Sequence, residues 1–297
     1  PDGSKGQKAS TYLSNLRTRM SRLSKVEIPG FKEGLVTRLR SWEPGRVTTG
    51  WWLTRTGKEY MHAPYSIATE PSVLKAGHIW DSADIGFQIE SLFGLTILSE
   101  RETTSGQTFR DGLTQEVPTS LFKAKRTGQE RDGLPRSKRP DLAILHTSSS
   151  GRASFTAIEV ERVMSRPIRD YREKLLTYTE DPHVDAIWYL CDRAPIRNRV
   201  RQAYTDLLKA GEIADTSTTP TLVETVQHWG EPPPREQQDG YLRRTTSWVG
   251  LPGIGLDGSP LLNSKGEPSA VGKRMLGALR MEQTMQSASM RLDGRVH

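Results

Sequence analysis

Two apolar runs with acidic residues at their ends constrain the fold of this chain more than any other feature. Pro140 and Asp141 open the first run, and Glu159 and Glu161 close the second. Side chains on a β-strand alternate between its two faces, so Glu159 and Glu161 share a face. If the two runs pair as neighbouring strands, three carboxylates meet at one end of a sheet. Because such a group repels itself without a cation, and because Mg²⁺ and Mn²⁺ prefer oxygen ligands, we expect a metal site that acts on phosphodiesters.

Length and composition limit the class of protein. The chain has 297 residues, enough for one composite fold or for two small domains with extensions. Its hydrophobic share of 34% is low for a compact globule, which indicates long loop or tail segments. No apolar run of about 18 residues occurs, so we expect no transmembrane helix. The single cysteine, Cys191, excludes an internal disulfide and a cysteine-rich zinc site, and a cytoplasmic location fits. Because the sequence begins with Pro1 and has no apolar export segment, we expect a fragment or a processed product.

Positive charge is concentrated in two parts of the chain. The net charge is +7, and residues 1–50 hold ten basic against four acidic residues. A second basic cluster, from Lys123 to Arg139, leads directly to Pro140 and Asp141. There it would attract a phosphodiester backbone without filling the metal position. A solvated charged loop explains the second cluster equally well when it is taken alone. The residues expected to contact DNA are Arg17, Arg19, Arg22, Arg46, Lys123, Lys125, Arg126, Arg136, Lys138 and Arg139.

The first 60 residues have the pattern of a small DNA-binding or cap domain. Apolar residues recur at helical spacing over 12–23, and two β-prone runs, 35–39 and 50–54, then flank the turn dipeptide Pro44-Gly45. A further helix is expected to begin after the second run. Helix, hairpin and helix form the second half of a winged helix, but the pattern alone fits any small α+β cap equally well.

The middle of the chain alternates helices and strands. The expected order is α-β-β-β-α-β-α, and its last strand is the buried run 186–191. From about residue 210 the sequence is rich in Thr, Pro, Gly and Gln, which predicts loop or linker, with a possible short helix within 271–290.

This order of elements, with Pro140-Asp141 on one strand and Glu159-Val160-Glu161 on the next, resembles the PD-(D/E)XK restriction-endonuclease-like superfamily. The resemblance implies an α/β fold: a restriction-endonuclease-like core, with a mixed central sheet flanked by helices, preceded by a partial winged-helix domain. The implied domains are a winged helix over 1–65, a nuclease-like core over 75–210 and a loop-rich C-terminal extension over 211–297.

Shorter pieces are similar to the replication-relaxation family of plasmid-encoded proteins. That family is similar to the relaxosome proteins of mobilisable plasmids, some of which nick an origin of transfer with a nuclease-like fold. The resemblance covers roughly residues 10–208. The pieces that carry it are Gly50–Gly57, Leu98–Glu102, Arg139–Asp141, Ile158–Glu161, and Lys174 with Tyr178.

The resemblance also implies the metal ligands. Asp141 and Glu159 would bind one or two Mg²⁺ (or Mn²⁺) ions, which polarise the scissile phosphate and activate water. Glu161 stands where such proteins usually have a lysine, and its carboxylate could hold a second metal or accept a proton from water.

Two further catalytic groups are expected from outside the paired strands. Lys174, which shares a helix face with Tyr178, could supply the missing positive charge, although a solvated lysine is an equal alternative. An additional acid could come from Glu90, Glu100 or Glu102, and the Ser-Glu-Arg-Glu string favours Glu100.

Two functions from different classes fit these features. The first is a metal-dependent DNA nickase or endonuclease of plasmid mobilisation or replication. It would act on plasmid duplex DNA, at an origin of transfer or replication, with relaxosome proteins as possible partners and no membrane. The alternative is a non-catalytic winged-helix DNA-binding accessory protein that keeps a nuclease-like scaffold. The clustered carboxylates favour the first function, and Glu161 in place of lysine favours the second.

Overall fold

The computed structural model describes residues 18–27, 29, 33–43, 46–60, 73–110, 113–122, 139–147, 152–162, 166–213, 219–229 and 248–293. These residues form two compact units. The first holds the described residues up to residue 77, together with 109–110 and 113–114, and the second holds the others.

The first unit contains an antiparallel hairpin next to short helices. The hairpin strands pair in register from Val36 opposite Leu53 to Glu43 opposite Arg46, as the sequence predicted. Pro44 and Gly45, the expected turn, lie outside the described residues. The elements are α1 (residues 18–23), β1 (Val36–Glu43), β2 (Arg46–Leu53) and α2 (Arg55–Tyr60).

Helices and strands alternate along the rest of the chain. A capping box starts the short helix at Glu100. The side chain of Ser99 accepts from the backbone N–H of Glu102, and the side chain of Glu102 accepts from the backbone N–H of Ser99. The elements are α3 (Val73–Phe93), β3 (Ile97–Ser99), α4 (Glu100–Ser105), β4 (Gln107–Arg110), β5 (Leu113–Glu116), β6 (Leu142–Thr147), β7 (Ala153–Glu161), α5 (Ile168–Thr179), β8 (Val184–Cys191), α6 (Ala194–Lys209), β9 (Thr221–Thr225), β10 (Gln227–Trp229), β11 (Trp248–Gly250) and α7 (Ala270–Asp293).

A five-stranded mixed sheet forms the centre of the second unit. Its strand order is β3-β6-β7-β8-β9. The pairs β3–β6 and β6–β7 are antiparallel, whereas β7–β8 and β8–β9 are parallel, with α5 and α6 as the crossover helices. The strands β7 and β8 are buried over almost their whole length, and β8 is a nearly continuous apolar run, which is typical of strands that are covered on both faces.

Helices cover both faces of this sheet. One face packs against α5 and α6, and the opposite face packs against α3 and α7. Every residue of β7 after Ala153 is buried, including Glu159 and Glu161. The fold is therefore α/β, with a mixed central sheet between helices. It places the side chains of Glu159 and Glu161 on the face of the sheet that α5 covers.

The described residues after residue 210 belong to this unit. The sequence assigned residues 211–297 to a loop-rich extension with a possible short helix within 271–290; in the structure β9 extends the central sheet, and the helix at that position, α7, is 24 residues long. The side chain of Gln286 binds the backbone N–H and carbonyl of Thr96 and the carbonyl of Leu145. These contacts tie α7 to the sheet through polar groups, a feature that hydrophobic periodicity does not reveal. Among the helices described, none is long and apolar enough to cross a membrane.

Candidate active site

Asp141 lies directly before β6 and is held by two donors. His78 Nε2 donates to Asp141 Oδ1 at 2.9 Å, and the backbone N–H of Val160 donates to Oδ2 at 2.8 Å. Burial alone would raise the pKa of Asp141, but the hydrogen bond and charge of His78 and the charge of Lys174 lower it below its usual value. Asp141 is therefore an ionised carboxylate at neutral pH.

Glu159, near the end of β7, lies beside Asp141 on the same face of the sheet. Its side chain is 4% exposed, and Oε1 accepts a hydrogen bond from the Tyr178 hydroxyl at 2.5 Å. Oε2 forms an ion pair with the ammonium group of Lys174. Burial raises the pKa of Glu159; the charge of Lys174 opposes this and that of Asp141 adds to it, giving a pKa of about 7. A buried carboxylate this close to a second one would gain from a cation.

Lys174 is a cation that reaches this carboxylate pair from α5. Burial would lower its pKa, but the charges of Glu159 and Asp141 raise it above its ordinary value. Because the amine stays protonated at neutral pH, it can donate hydrogen bonds and neutralise negative charge, but it cannot act as a general base. Lys174 thus lies where the sequence interpretation needed a positive charge.

His78 belongs to this cluster and was missed in the sequence. Burial works against its charged form, yet the hydrogen bond to Asp141 and the charge of Asp141 raise the pKa of His78 above 6.5. Its neighbour on α3, Asp81, is buried and paired with Arg162 at 2.9 Å. The only signal in the sequence was a histidine near the start of an amphipathic helix, which does not distinguish a site residue from an exposed one.

Glu161 shares the face of Glu159 but has a different partner. Its side chain is 5% exposed, and Oε2 lies 2.7 Å from Arg166 Nη1. The guanidinium of Arg166 also stacks 5.7 Å from the ring centre of Tyr171. The carboxylate of Glu161 thus has an arginine as its ion-pair partner.

The other acids considered in the sequence have local structural contacts. The backbone N–H of Glu100 donates to the carbonyl of Asp141 at 3.0 Å, while its side chain is exposed at the start of α4. Glu102 closes the capping box of that helix, and Glu90 Oε1 accepts from the backbone N–H of Ile97 at 3.2 Å. Glu100 is therefore linked to the site through its backbone.

The predicted DNA-contacting residues are only partly described. Arg19 and Arg22 are exposed on α1, Arg46 begins β2, and Arg139 is half-buried two residues before Asp141. The others lie outside the described residues: Arg17, Lys123, Lys125, Arg126, Arg136 and Lys138.

The structure offers two carboxylates to a divalent ion, those of Asp141 and Glu159, and not the three that were expected from the sequence. Within the described ranges, no three His, Cys, Asp or Glu side chains are grouped to hold a metal ion. The physical reason is the pairing of Glu161 with Arg166. Mg²⁺, however, keeps several water ligands and is commonly bound by one or two carboxylates together with substrate phosphates. The half-buried carboxylate of Asp141 and the buried carboxylate of Glu159 match that donor set.

Comparisons of the chain with protein-family models, with curated proteins and with solved structures gave no match. What the site does must therefore be argued from its own geometry.

Proposed function

We propose that this chain is a Mg²⁺-dependent DNA endonuclease or nickase with a restriction-endonuclease-like core, acting in plasmid mobilisation or replication. The observation that carries the proposal is the meeting of Asp141, Glu159 and Lys174 at one end of β6 and β7. Two acids and a lysine beside each other are the groups that the PD-(D/E)XK resemblance implies for phosphodiester hydrolysis.

The topology of the sheet supports the same proposal. The antiparallel strands β3, β6 and β7 are followed by α5 and then by β8, which is parallel to β7. Within the sheet this follows the helix, three-strand, helix, strand order on which the resemblance rests, although α4, β4 and β5 lie between β3 and β6 in the chain. The hairpin of the first unit would supply a second DNA-binding element of winged-helix type, and a relaxosome would supply the partner proteins.

The protein groups have separate roles in the proposed reaction. His78 and the Val160 N–H fix the orientation of Asp141, and Tyr178 fixes that of Glu159. When bound by these two carboxylates, Mg²⁺ would polarise the scissile phosphate and lower the pKa of water. Lys174, which stays protonated, would orient the attacking water and stabilise negative charge on the phosphoryl oxygens.

A second candidate function is a non-catalytic DNA-binding protein that retains this scaffold. The observation in its favour is that each carboxylate already has a donor from the protein: His78 for Asp141, Lys174 and Tyr178 for Glu159, and Arg166 for Glu161. A site neutralised in this way can persist without a metal.

Relaxation of supercoiled plasmid in Mg²⁺ or Mn²⁺ separates the two functions. We expect the wild-type chain to convert supercoiled DNA to the open-circular form and Asp141→Asn to abolish the conversion. The matched control is Asp257→Asn, which makes the same change at an exposed turn and should keep full activity. Relaxation by Asp141→Asn at the wild-type rate would remove the site assignment. DNA binding without relaxation in either metal would favour the scaffold function.

A further inference from the structure

We propose that four arginines at the amino end of α6 form a binding surface for the phosphate backbone of duplex DNA that leads to the candidate active site. This inference rests on the proposed function, and it concerns a different set of residues. We call Arg193, Arg197, Arg199 and Arg201 the α6 arginine surface.

The α6 arginine surface is dense and solvent-accessible. Residues 193–201 contain four arginines and no acidic residue. Arg193, Arg197 and Arg201 recur every four residues, which aligns them along one side of the helix. The side chains of Arg193 and Arg201 are 58% and 45% exposed, Arg199 is also exposed, and Arg197 is half-buried. About two turns of the chain at the start of α6 therefore offer several guanidinium groups to an external anion.

The position of α6 brings this surface to the edge of the sheet that carries the acids. β7 and β8 are parallel, and Glu161 pairs with Cys191, so both strands end at the same edge. The backbone N–H of Asp192 donates to the carbonyl of Glu161 at 2.8 Å, directly before α6 begins. From α6, Arg199 Nη1 donates to the carbonyl of Arg166 at 3.3 Å. The surface is thus continuous with the segment that follows Glu159 and Glu161.

Contacts within the protein orient these arginines. Arg193 Nε forms an ion pair with Asp192 Oδ2 at 2.9 Å. Arg201 Nη2 donates to the carbonyl of Val223 at 2.8 Å and forms an ion pair with Glu224 Oε1 at 3.1 Å. Arg197 donates from Nε and Nη2 to Asn198 Oδ1. A guanidinium has five N–H donors, so one that keeps such a contact can still donate to a phosphate, and its planar fork matches two phosphoryl oxygens.

Duplex DNA is the partner that fits this charge pattern. A nuclease whose reacting centre holds two carboxylates repels the DNA backbone there, so the attraction must come from basic groups outside the centre. The α6 arginine surface supplies such groups on the adjoining helix.

The test is metal-free binding of a short fluorescent DNA duplex, measured by anisotropy in EDTA over a series of salt concentrations. The test variant is Arg197→Gln/Arg199→Gln, and glutamine preserves helix propensity. The matched control is Lys273→Gln/Arg280→Gln, which removes two exposed positive charges from α7. We expect the test variant to raise Kd on the order of tenfold and to reduce the slope of log K against log salt by about 2, since each phosphate contact contributes roughly 0.9. The control should keep the wild-type slope.

Several outcomes would overturn the inference: no binding of the duplex by the wild-type chain, an unchanged slope in the test variant, or an equal loss in test and control. Thermal melting checks that both proteins fold. If the test variant does not fold, Arg193→Gln/Arg197→Gln carries the same prediction. Loss of nicking in Asp141→Asn with an unchanged slope in the arginine variant would leave the proposed function standing and remove this inference. A reduced slope in the arginine variant, with no nicking by the wild-type chain in any metal, would leave this inference standing and remove the proposed function.

Discussion

Lys174 on α5 forms an ion pair with Glu159 on β7, although fifteen residues separate them in the chain. The position two residues after Glu159, where the resemblance implies a lysine, holds Glu161 with its own partner Arg166. Helix α5 therefore supplies, through Lys174, the positive charge that strand β7 lacks at Glu161.

This relationship predicts that Lys174→Gln lowers the rate of plasmid relaxation by about 10²-fold, the usual effect of removing one donor to developing negative charge. Duplex binding in EDTA should stay unchanged. Lys209→Gln, at the exposed end of α6, is the matched control and should relax plasmid at the wild-type rate. An active Lys174→Gln protein would show that the lysine only neutralises Glu159.

Tyr178→Phe removes the hydroxyl that donates to Glu159 Oε1 and leaves a buried carboxylate oxygen without that donor. At pH 8, above the pKa of about 7 of Glu159, we expect the free energy of unfolding to fall by about 1.5–3 kcal/mol, as for hydrogen bonds to charged groups. Tyr189→Phe is the control, because the buried Tyr189 hydroxyl has no hydrogen-bond partner among the described residues. Urea unfolding should show the loss in the first variant alone. Equal effects of the two substitutions would mean that the Tyr178 bond adds no net stability.

The parts of the site that follow from strand alternation and local spacing were predictable. Asp141 and Glu159 lie together because two apolar runs pair as neighbouring strands, and Lys174 faces them because it lies one helix turn before Tyr178. His78 was not predictable, since it reaches Asp141 across 63 residues through the packing of α3.

The strand β9 and the full length of α7 escaped prediction for a different reason. The strand β9 is a short Thr-rich run, and α7 is attached partly through buried polar side chains such as Glu282 and Gln286. Hydrophobic periodicity detects apolar stripes. Polar residues in the buried face of a helix interrupt such a stripe, so the pattern underestimates the extent of that helix.

His78 stabilises the fold in a pH-dependent way. Its folded-state pKa is raised above 6.5, so its contribution is fully present below pH 6.5 and is lost as the pH rises through the folded-state value. We therefore expect His78→Gln to lower the free energy of unfolding at pH 6 and to have less effect at pH 9. In an Asp141→Asn background, this difference between the two pH values should disappear. A His78→Gln effect that is equal at both pH values would exclude the charged pair.

Glu282 on α7 is a buried acid whose ionised form destabilises the fold. Its side chain is 1% exposed; Oε1 accepts from the Thr156 hydroxyl at 2.7 Å, whereas Oε2 has no hydrogen-bond partner among the described residues. Oε2 lies 3.7 Å from His146 Nε2, but burial lowers the pKa of His146, so this imidazole is neutral at pH 7 and provides no positive charge. Burial consequently raises the pKa of Glu282 to about 7.

This raised pKa predicts that Glu282→Gln stabilises the protein at pH 8. Stability that depends on protonated Glu282 is present below pH 4.5, its ordinary pKa, and is lost as the pH rises through about 7. Glutamine does not titrate, and its amide can still accept from Thr156. The difference between 4.5 and about 7, at about 1.36 kcal/mol per pKa unit, predicts a gain of about 3 kcal/mol in the free energy of unfolding at pH 8, shrinking towards pH 4. Chemical denaturation at both pH values measures it, with the exposed Glu267→Gln as control. A gain that did not change between pH 4 and pH 8 would mean that Glu282 is not titrating in this range.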